Sequence, residues 1–446
     1  MKRSAWRYLW AAKDIRRKLL ITLLILAIYR LAAHVPVPGA NLEVIAQLTQ
    51  AGGAGQTLVG LLDLLSGGTV SNFSVMAMGV YPYITSQIIL QLLVPIIPSW
   101  QRRMEEDPRE GRKWMEKWTL MMAVPMAALQ AFGQINIFSS LAGGMPVVDN
   151  FGFSGSNLLP SLTVVLSMTA GTMFAIWLGE LISEFGIRNQ GLSLIIFAGI
   201  VSRVPVNIMG ILSDEQTRII GLIMMLVITI LTIFAVVFVQ QGRRNIPVMY
   251  PGRRMGKRMS MPVKGTLPLM INMAGMIPLI FAQSLLTFPA ILASFFVRSE
   301  TEWLSNLALS VQNIFGGQSD VYWLLYFLGV VGFTFFYTNV LFAQQNYGEN
   351  LKKVGARIPG VSPGVPTQRY LNRVLSRITL PGALFLGLVA ILPWLLTKIF
   401  PIPSAANLLL VSSAGLLIVV GVVRDTFFNI EAELKLHGYD DAALIR

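Results

Sequence analysis

The chain has 446 residues, 54% of them apolar, and only 13% charged, with a mean hydropathy of +0.63. An ordinary soluble domain carries about 25% charged residues, so this composition excludes that class, and the net charge of +13 has to be read from where the charges sit. There is no cysteine, which excludes disulfides and thiolate metal sites, and the two histidines, His34 and His437, lie too far apart in sequence to suggest a metal cluster.

A helix that crosses a bilayer needs about 20 mostly apolar residues. Ten such stretches are predicted, near 19–36, 74–97, 119–139, 159–182, 192–212, 217–240, 267–297, 321–343, 378–400 and 405–423. Runs such as 219–239 are apolar on all sides and do not alternate, which selects helices over the strands of a membrane barrel. Ahead of the first span, Arg16, Arg17 and Lys18 precede an apolar stretch and the small residues Ala32 and Ala33, as in a signal peptide. Nine further spans favour an uncleaved first span. Before the second span, residues 51–55 read Ala-Gly-Gly-Ala-Gly. Leu58 to Leu65 then offer barely two apolar turns, ended by Gly67-Gly68. That piece is too short to cross a bilayer, and an interfacial helix and a mobile plug fit it equally. Glu180 and Glu184, one turn apart, read as a cap on the end of span 4. No soluble domain is visible between the spans.

Thirty of the 35 Lys and Arg residues fall in the arm 2–18, the loops 101–118, 183–191, 242–265 and 344–377, and the tail from Arg424. This is the positive-inside pattern, and it places both termini in the cytoplasm with an even number of spans. Loop 242–265 holds Arg243, Arg244, Arg253, Arg254, Lys257, Arg258 and Lys264 and no acid. Loop 344–377 holds Lys352, Lys353, Arg357, Arg369, Arg373 and Arg377 against Glu349. Topology and anionic lipid explain such charge. Protruding hairpins that dock a phosphate-rich partner, such as ribosomal RNA, explain it equally.

Ionisable groups at membrane depth are costly and usually functional. Here they are few: Arg30 in span 1, and Arg203 beside the Pro205 break in span 5. No Ser/His/Asp or paired-Asp arrangement appears, so neither an enzyme nor a cofactor is expected. Gly79, Pro82, Gly275, Pro278 and Pro289 do interrupt spans, as in secondary transporters of small solutes. Their neighbours are mostly Ile, Val, Leu and Met, which suits a cargo of variable chemistry better than one specific ion.

Several ordered strings carry a resemblance: His34-Val-Pro-Val-Pro-Gly39, Ser66-Gly-Gly68, Met78-Gly-Val-Tyr-Pro-Tyr-Ile84, Gly171-Thr-Met-Phe174, Trp177-Leu-Gly-Glu180, Ile195-Ile-Phe-Ala-Gly-Ile200, Asn272-Met-Ala-Gly-Met-Ile-Pro278, Asn350-Leu-Lys-Lys353 and Ile358-Pro-Gly360. Over more than 300 residues the chain resembles the SecY family, the large subunit of the bacterial Sec translocon. The resemblance implies an all-α polytopic membrane protein with ten transmembrane helices in two pseudo-symmetric five-helix halves around a central pore. The halves would be 1–212, with a plug at about 58–72, and 213–446, with the two large basic loops. It implies a protein-conducting channel in the bacterial cytoplasmic membrane that passes unfolded polypeptides across and releases membrane segments laterally.

By position, the pore ring would be Val80, Ile84, Leu192, Ile196, Ile280 and Ile418, and the plug would include Leu58, Leu61, Leu62, Leu65, Ser66, Gly67 and Gly68. An apolar ring of this kind excludes ions by dewetting. Spans 2 and 7 would form a lateral gate, with Thr85, Ser86, Gln87, Gln91 and Asn272 as polar groups that bond weakly across helices. Arg243, Arg244, Arg253, Arg254, Lys257, Arg258, Lys352, Lys353, Arg357 and Arg369 would dock the SecA motor or the ribosome. The further partners implied are SecE, SecG, signal-sequence-bearing polypeptides and membrane lipid. Three departures stand out: one extra residue in the turn from Gly186 to Gly191, which bears on Leu192 and Ile196; Ser412-Ser-Ala-Gly415 in place of the usual Gly-Gly-Thr-Ser; and Ser362 where the family has arginine.

The charge pattern generates a topology test. The chain has no cysteine, so a single Ser260→Cys is expected to resist an impermeant thiol reagent added outside intact cells and to react once the membrane is opened. Labelling from outside overturns the topology.

Overall fold

The computed structural model describes residues 13–41, 43–45, 73–142, 145–149, 151–152, 157–212, 218–251, 254–255, 258–259, 263–294, 296, 301–315, 319–399 and 413–436. A helix stands at each of the ten predicted spans: α1 (Lys13–Ala32), α2 (Tyr81–Leu93), α4 (Pro108–Leu141), α5 (Leu158–Phe185), α6 (Gly191–Leu212), α7 (Arg218–Gln241), α8 (Ile277–Ser294), α10 (Asp320–Gln344), α12 (Val365–Ile399) and α13 (Ser413–Leu436). Five of these, α4, α5, α7, α10 and α12, contain a stretch long and apolar enough to cross a membrane alone. Helix α6 and α8 contain shorter apolar stretches, and α2 passes the same test only jointly with α3 (Pro98–Glu106), to which it is bent by 102°. Helix α7 turns Ile223, Leu226, Ile230 and Phe234 outward, a face that suits lipid and no aqueous surface.

The boundaries differ from the predicted ones for two reasons. Hydropathy marks where the apolar run ends, and a helix goes on through polar residues beyond it. So α1 starts at 13 and not 19, α4 at 108 and not 119, α12 at 365 and not 378, and α13 ends at 436 and not 423. The loops 101–118 and 344–377 are consequently largely helical, through α3, α4, the short α11 (Tyr347–Lys353) and the start of α12. In the opposite sense, α2 and α8 are shorter than predicted. Gly79 has φ +51° and Gly275 φ +64°, a left-handed conformation that a helix cannot pass through and that glycine adopts without steric cost. Pro82 and Pro278 follow in the first turn of each helix, where a missing N–H is harmless.

The all-helical expectation needs one amendment. Strand β1 (Arg243–Tyr250) pairs antiparallel with β4 (Val263–Met270), with Arg243 opposite Met270 and Tyr250 opposite Val263; the two-residue strands β2 (Arg254–Met255) and β3 (Arg258–Met259) lie between them. Residues 267–270, predicted as the start of span 7, belong to β4. The arm before α12 joins this hairpin, because Arg357 and Met249 exchange two backbone hydrogen bonds of 2.8 Å. Ile246, Val248 and Leu269 of the hairpin share a buried cluster with Ala356, Ile358, Leu371 and Leu375. The two basic loops are therefore one platform with its own small core. A second element absent from the sequence reading is α9 (Glu302–Phe315), between α8 and α10.

Two seams join the helices before residue 212 to those after 218. On one side α8 meets α2 and α4; on the other, α6 meets α7 and α13. At the first seam a Cβ on Gly133 of α4 would fall 2.4 Å from Ile291 of α8, the small-residue contact that lets membrane helices approach closely. At the second, α13 runs on past Arg424 so that Ile430 and Leu434 pack in the same cluster as Ile15, Ile182 and Ile187. An ion pair between Lys18 and Glu433 and a bond from Asn429 to the Arg188 carbonyl (3.3 Å) complete that contact.

A close backbone approach backs the segment ahead of α2. A Cβ on Gly171 of α5 would lie 2.1 Å from the Val75 carbonyl oxygen. Gly171→Ala is expected to lower stability by about 1–3 kcal/mol through overpacking, read as a drop in thermal unfolding midpoint in detergent. Gly332→Ala on α10, where nothing lies within 4 Å, is expected to be neutral or slightly stabilising.

Candidate functional site

The two interrupted spans place the predicted residues. Gly79-Val-Tyr-Pro82 and Gly275-Met-Ile-Pro278 repeat one arrangement, a left-handed glycine three residues before a first-turn proline. In each, the chain ahead of the helix is unwound, and its polar groups are satisfied nearby. Val75 N–H donates to the Val35 carbonyl (2.9 Å) and Val37 N–H to that of Phe73 (3.0 Å), while Ile271 N–H donates to the Gly242 carbonyl (2.9 Å).

The six residues expected to form a ring come together. Val80, Ile196 and Ile418 are buried in one cluster, and Ile84 and Leu192 pack against it. Ile280 is buried beside Tyr81, and Ile84 packs against both, so Ile84 links the two groups. Val80 lies in the turn before α2 and not on the helix itself. The extra residue in the 186–191 turn does not displace Leu192 or Ile196. Asn189 takes φ +57° there, a conformation that asparagine tolerates better than most residues, and the turn closes with Leu192 against Gly179. The six side chains are all branched aliphatics, so what they offer a passing group is aliphatic surface.

The polar residues expected at the α2–α8 seam behave differently from the sequence reading. Thr85 and Ser86 donate to the Pro82 carbonyl within their own helix, at 2.9 and 2.8 Å. The one cross-helix bond described for them comes from Gln130 Nε2 of α4 to Thr85 Oγ1, 3.1 Å. Asn272 donates from Nδ2 to the Gly275 carbonyl (3.1 Å), bracing the turn before α8, and its Oδ1 and Gln91 Oε1 are buried without a hydrogen-bond partner. Gln87 is half-buried. The seam itself is apolar: Ile88 packs in a buried cluster with Ala274, Phe281 and Tyr337, and Ile84 and Leu92 lie against it. The Tyr81 hydroxyl reaches Ser284 and Thr287 of α8. Sequence reading missed Ile88, Phe281 and Tyr337. The signal for the first was present in the i, i+4 spacing of Ile84 and Ile88.

On the platform, Arg243, Arg244, Lys352, Lys353, Arg357 and Arg369 are all exposed. Arg357 alternates with buried Ala356 and Ile358, as a strand edge does. Arg254 and Arg258 fall in β2 and β3. Arg253 and Lys257, and the whole expected plug from Leu58 to Gly68, lie outside the described residues. Ser362 is exposed, and its carbonyl accepts from Thr367 Oγ1 (2.8 Å).

Fold and site together define a polytopic helical membrane protein whose two broken spans converge on an aliphatic cluster. The family model SecY matches residues 74–427, and the chain belongs to the SecY family. It is 38% identical over 431 residues to protein translocase subunit SecY of Aquifex aeolicus, covering 96% of each chain. It is 37% identical over 438 residues to that of Mycobacterium tuberculosis, again covering 96% of each. Among solved structures, a SecY protein described by the role of its plug domain in the closed channel aligns with TM-score 0.62 at 18% identity, covering 94% of this chain and 92% of the other. A structure described as a protein conducting channel aligns with TM-score 0.60 at 18% identity, covering 94% and 93%. At those identities the structures establish the shared fold.

Asn272 braces the turn before α8. Asn272→Ala is expected to cost about 1–3 kcal/mol, since it strips a partner from the Gly275 carbonyl, and to lower the thermal midpoint. Gln87→Ala is expected to leave the midpoint unchanged.

Proposed function

We infer that this chain is the channel-forming subunit of a protein translocase, embedded in the bacterial cytoplasmic membrane with both termini in the cytoplasm. The observation that carries this reading is the aliphatic cluster of Val80, Ile84, Leu192, Ile196, Ile280 and Ile418 at the meeting of two broken spans. A narrow apolar constriction bars ions because water does not wet it. Branched aliphatic side chains make no specific polar demand, so they close around peptides of any sequence. That chemistry fits a polypeptide and not a small solute, and this reading replaces the solute-transporter alternative.

On this reading residues 1–212 and 213–446 are two halves. The α2–α8 seam opens to release apolar segments into lipid, and the α6–α7–α13 seam stays closed as the hinge. The opening seam is held by contacts among Ile88, Phe281 and Tyr337. Dispersion contacts of this kind lose little when an apolar signal segment or lipid replaces one side. Gln91 and Asn272 sit there with unpaired oxygens, which a passing backbone N–H can satisfy. The exposed basic platform is the docking site for a SecA motor or a ribosome, SecE and SecG are the companion subunits, and residues 58–72 are the plug. Translocation is driven by the partner, and this subunit supplies the path.

The test is conductance. Ile84→Asn and Ile280→Asn each place an amide in the constriction and are expected to raise ion leak through the purified complex in vesicles, and in cells to relax the requirement for a functional signal sequence. Both variants conducting no more than the parent, at equal incorporation, removes these residues from the constriction.

A further inference from the structure

Helix α9 carries more apolar surface than the protein covers. Trp303, Leu307, Ser310 and Ile314 recur at i, i+4, i+7 and i+11 and form one stripe. Trp303 is 70% exposed, Leu307 46% and Ile314 39%. The stripe one residue further on contains Leu304, Ala308, Val311 and Phe315. Ala308 is buried, and Phe315 packs against the cluster that holds Leu279 of α8 and Tyr322 of α10. The inner stripe thus faces the protein, and the outer one is left open. Glu302, Asn306 and Asn313 occupy the remaining side, with Leu309 among them, and all four are exposed.

We propose that α9 lies in the headgroup–acyl boundary of the bilayer, with its outer stripe of Trp303, Leu307 and Ile314 seated in lipid. Three observations identify lipid as the occupant. First, the stripe belongs to a helix packed on α8, and Leu285, Phe288, Leu292 and Phe296, on α8 and just beyond it, are exposed apolar residues of a membrane-crossing segment. Second, the one polar residue in the stripe is already satisfied, because the Ser310 hydroxyl donates to the Asn306 carbonyl (2.8 Å). An unmet hydroxyl would be costly in hydrocarbon. Third, tryptophan at one end of such a stripe is the residue that membrane interfaces favour.

The helix contains no lysine or arginine and one acid, Glu302. Attraction to anionic headgroups therefore contributes nothing, and burial of the apolar stripe alone holds α9 in place. Ser319, which donates to the Ile314 carbonyl (3.1 Å) and accepts from Tyr322 N–H (3.2 Å), fastens the end of α9 to the start of α10. The proposal rests on the membrane-spanning fold and stands whether or not the chain conducts protein.

The experiment uses the full-length chain with whatever subunits it purifies with, in phosphatidylcholine vesicles. Single Leu307→Cys, Ile314→Cys, Asn306→Cys and Asn313→Cys variants are spin-labelled, with Leu226→Cys on α7 as the control for a lipid-facing span. Labels at 307 and 314 are expected to collide with oxygen more than with a water-soluble nickel complex and to report a depth of about 5–10 Å. Labels at 306 and 313 are expected to show the reverse. Replacing part of the phosphatidylcholine with phosphatidylglycerol is expected to change neither result. As a second measurement, Trp303→Phe is expected to lose part of the fluorescence quenching by lipids brominated near the headgroup. Nickel access at 307 and 314 equal to that at 306 and 313 puts the stripe in water and overturns the proposal. Shielding of 307 and 314 from both reagents means that a protein partner covers the stripe, and overturns it too. Dependence on anionic lipid overturns the claim that apolar burial suffices. Nickel access at 226 condemns the membrane-spanning reading itself, which separates that failure from failure of α9.

Discussion

Hydrocarbon offers a backbone N–H or carbonyl no partner, so a span can be broken only where protein supplies one. This chain breaks two spans, and the surrounding structure is arranged to make that tolerable. The unwound residues before α2 bond to the Val35–Val37 strand-like segment, and Gly171 lets α5 come close enough to cover them. The unwound residues before α8 are held by Gly242 at the foot of the hairpin and by the Asn272 side chain. Once both breaks are secured, Val80, in the turn before α2, and Ile280, on α8, can both pack against Ile84. Straight spans would carry these residues past one another.

The same centre shows how function is drawn from ordinary packing chemistry. The aliphatic residues there are chemically indistinguishable from the rest of the core; their number and branching are typical of any helix interface. What sets them apart is position, where α2, α6, α8 and α13 contribute to linked apolar clusters. The adjoining α2–α8 seam is apolar as well. Apart from the Tyr81 hydroxyl, which reaches Ser284 and Thr287 across it, its described contacts are apolar packing.

Much of this was legible beforehand. The ten apolar runs were visible because a bilayer crossing demands them, and a helix stands at each. That Val80, Ile84 and Ile418 would meet was legible only through family resemblance, since Ile84 or Ile418 taken alone looks like any core residue. What escaped was governed by long-range contact. The hairpin was hidden because Leu267 and Leu269 look like the beginning of a span until Ile246 and Val248 are known to pair across from them. The union of the two basic loops depends on Met249 meeting Arg357, more than a hundred residues away. The bonding of the α2 polar residues escaped too, because sequence shows that Thr85 and Ser86 are polar but not that both hydroxyls donate to the Pro82 carbonyl of their own helix.

The pairing of Lys18 with Glu433 spans 415 residues, and that separation has a consequence in time. A chain made at about 5–20 residues per second needs about 20–80 s to travel from one partner to the other. Through that interval α1 is already made, yet Ile430 and Leu434, which share its cluster with Ile15, do not exist. The first helix must therefore wait in the membrane with part of its inner face bare and its lysine without this carboxylate. Completion of the last helix closes the structure at the point where it began, so a chain cut short by even a few turns of α13 leaves its earliest helix unfinished.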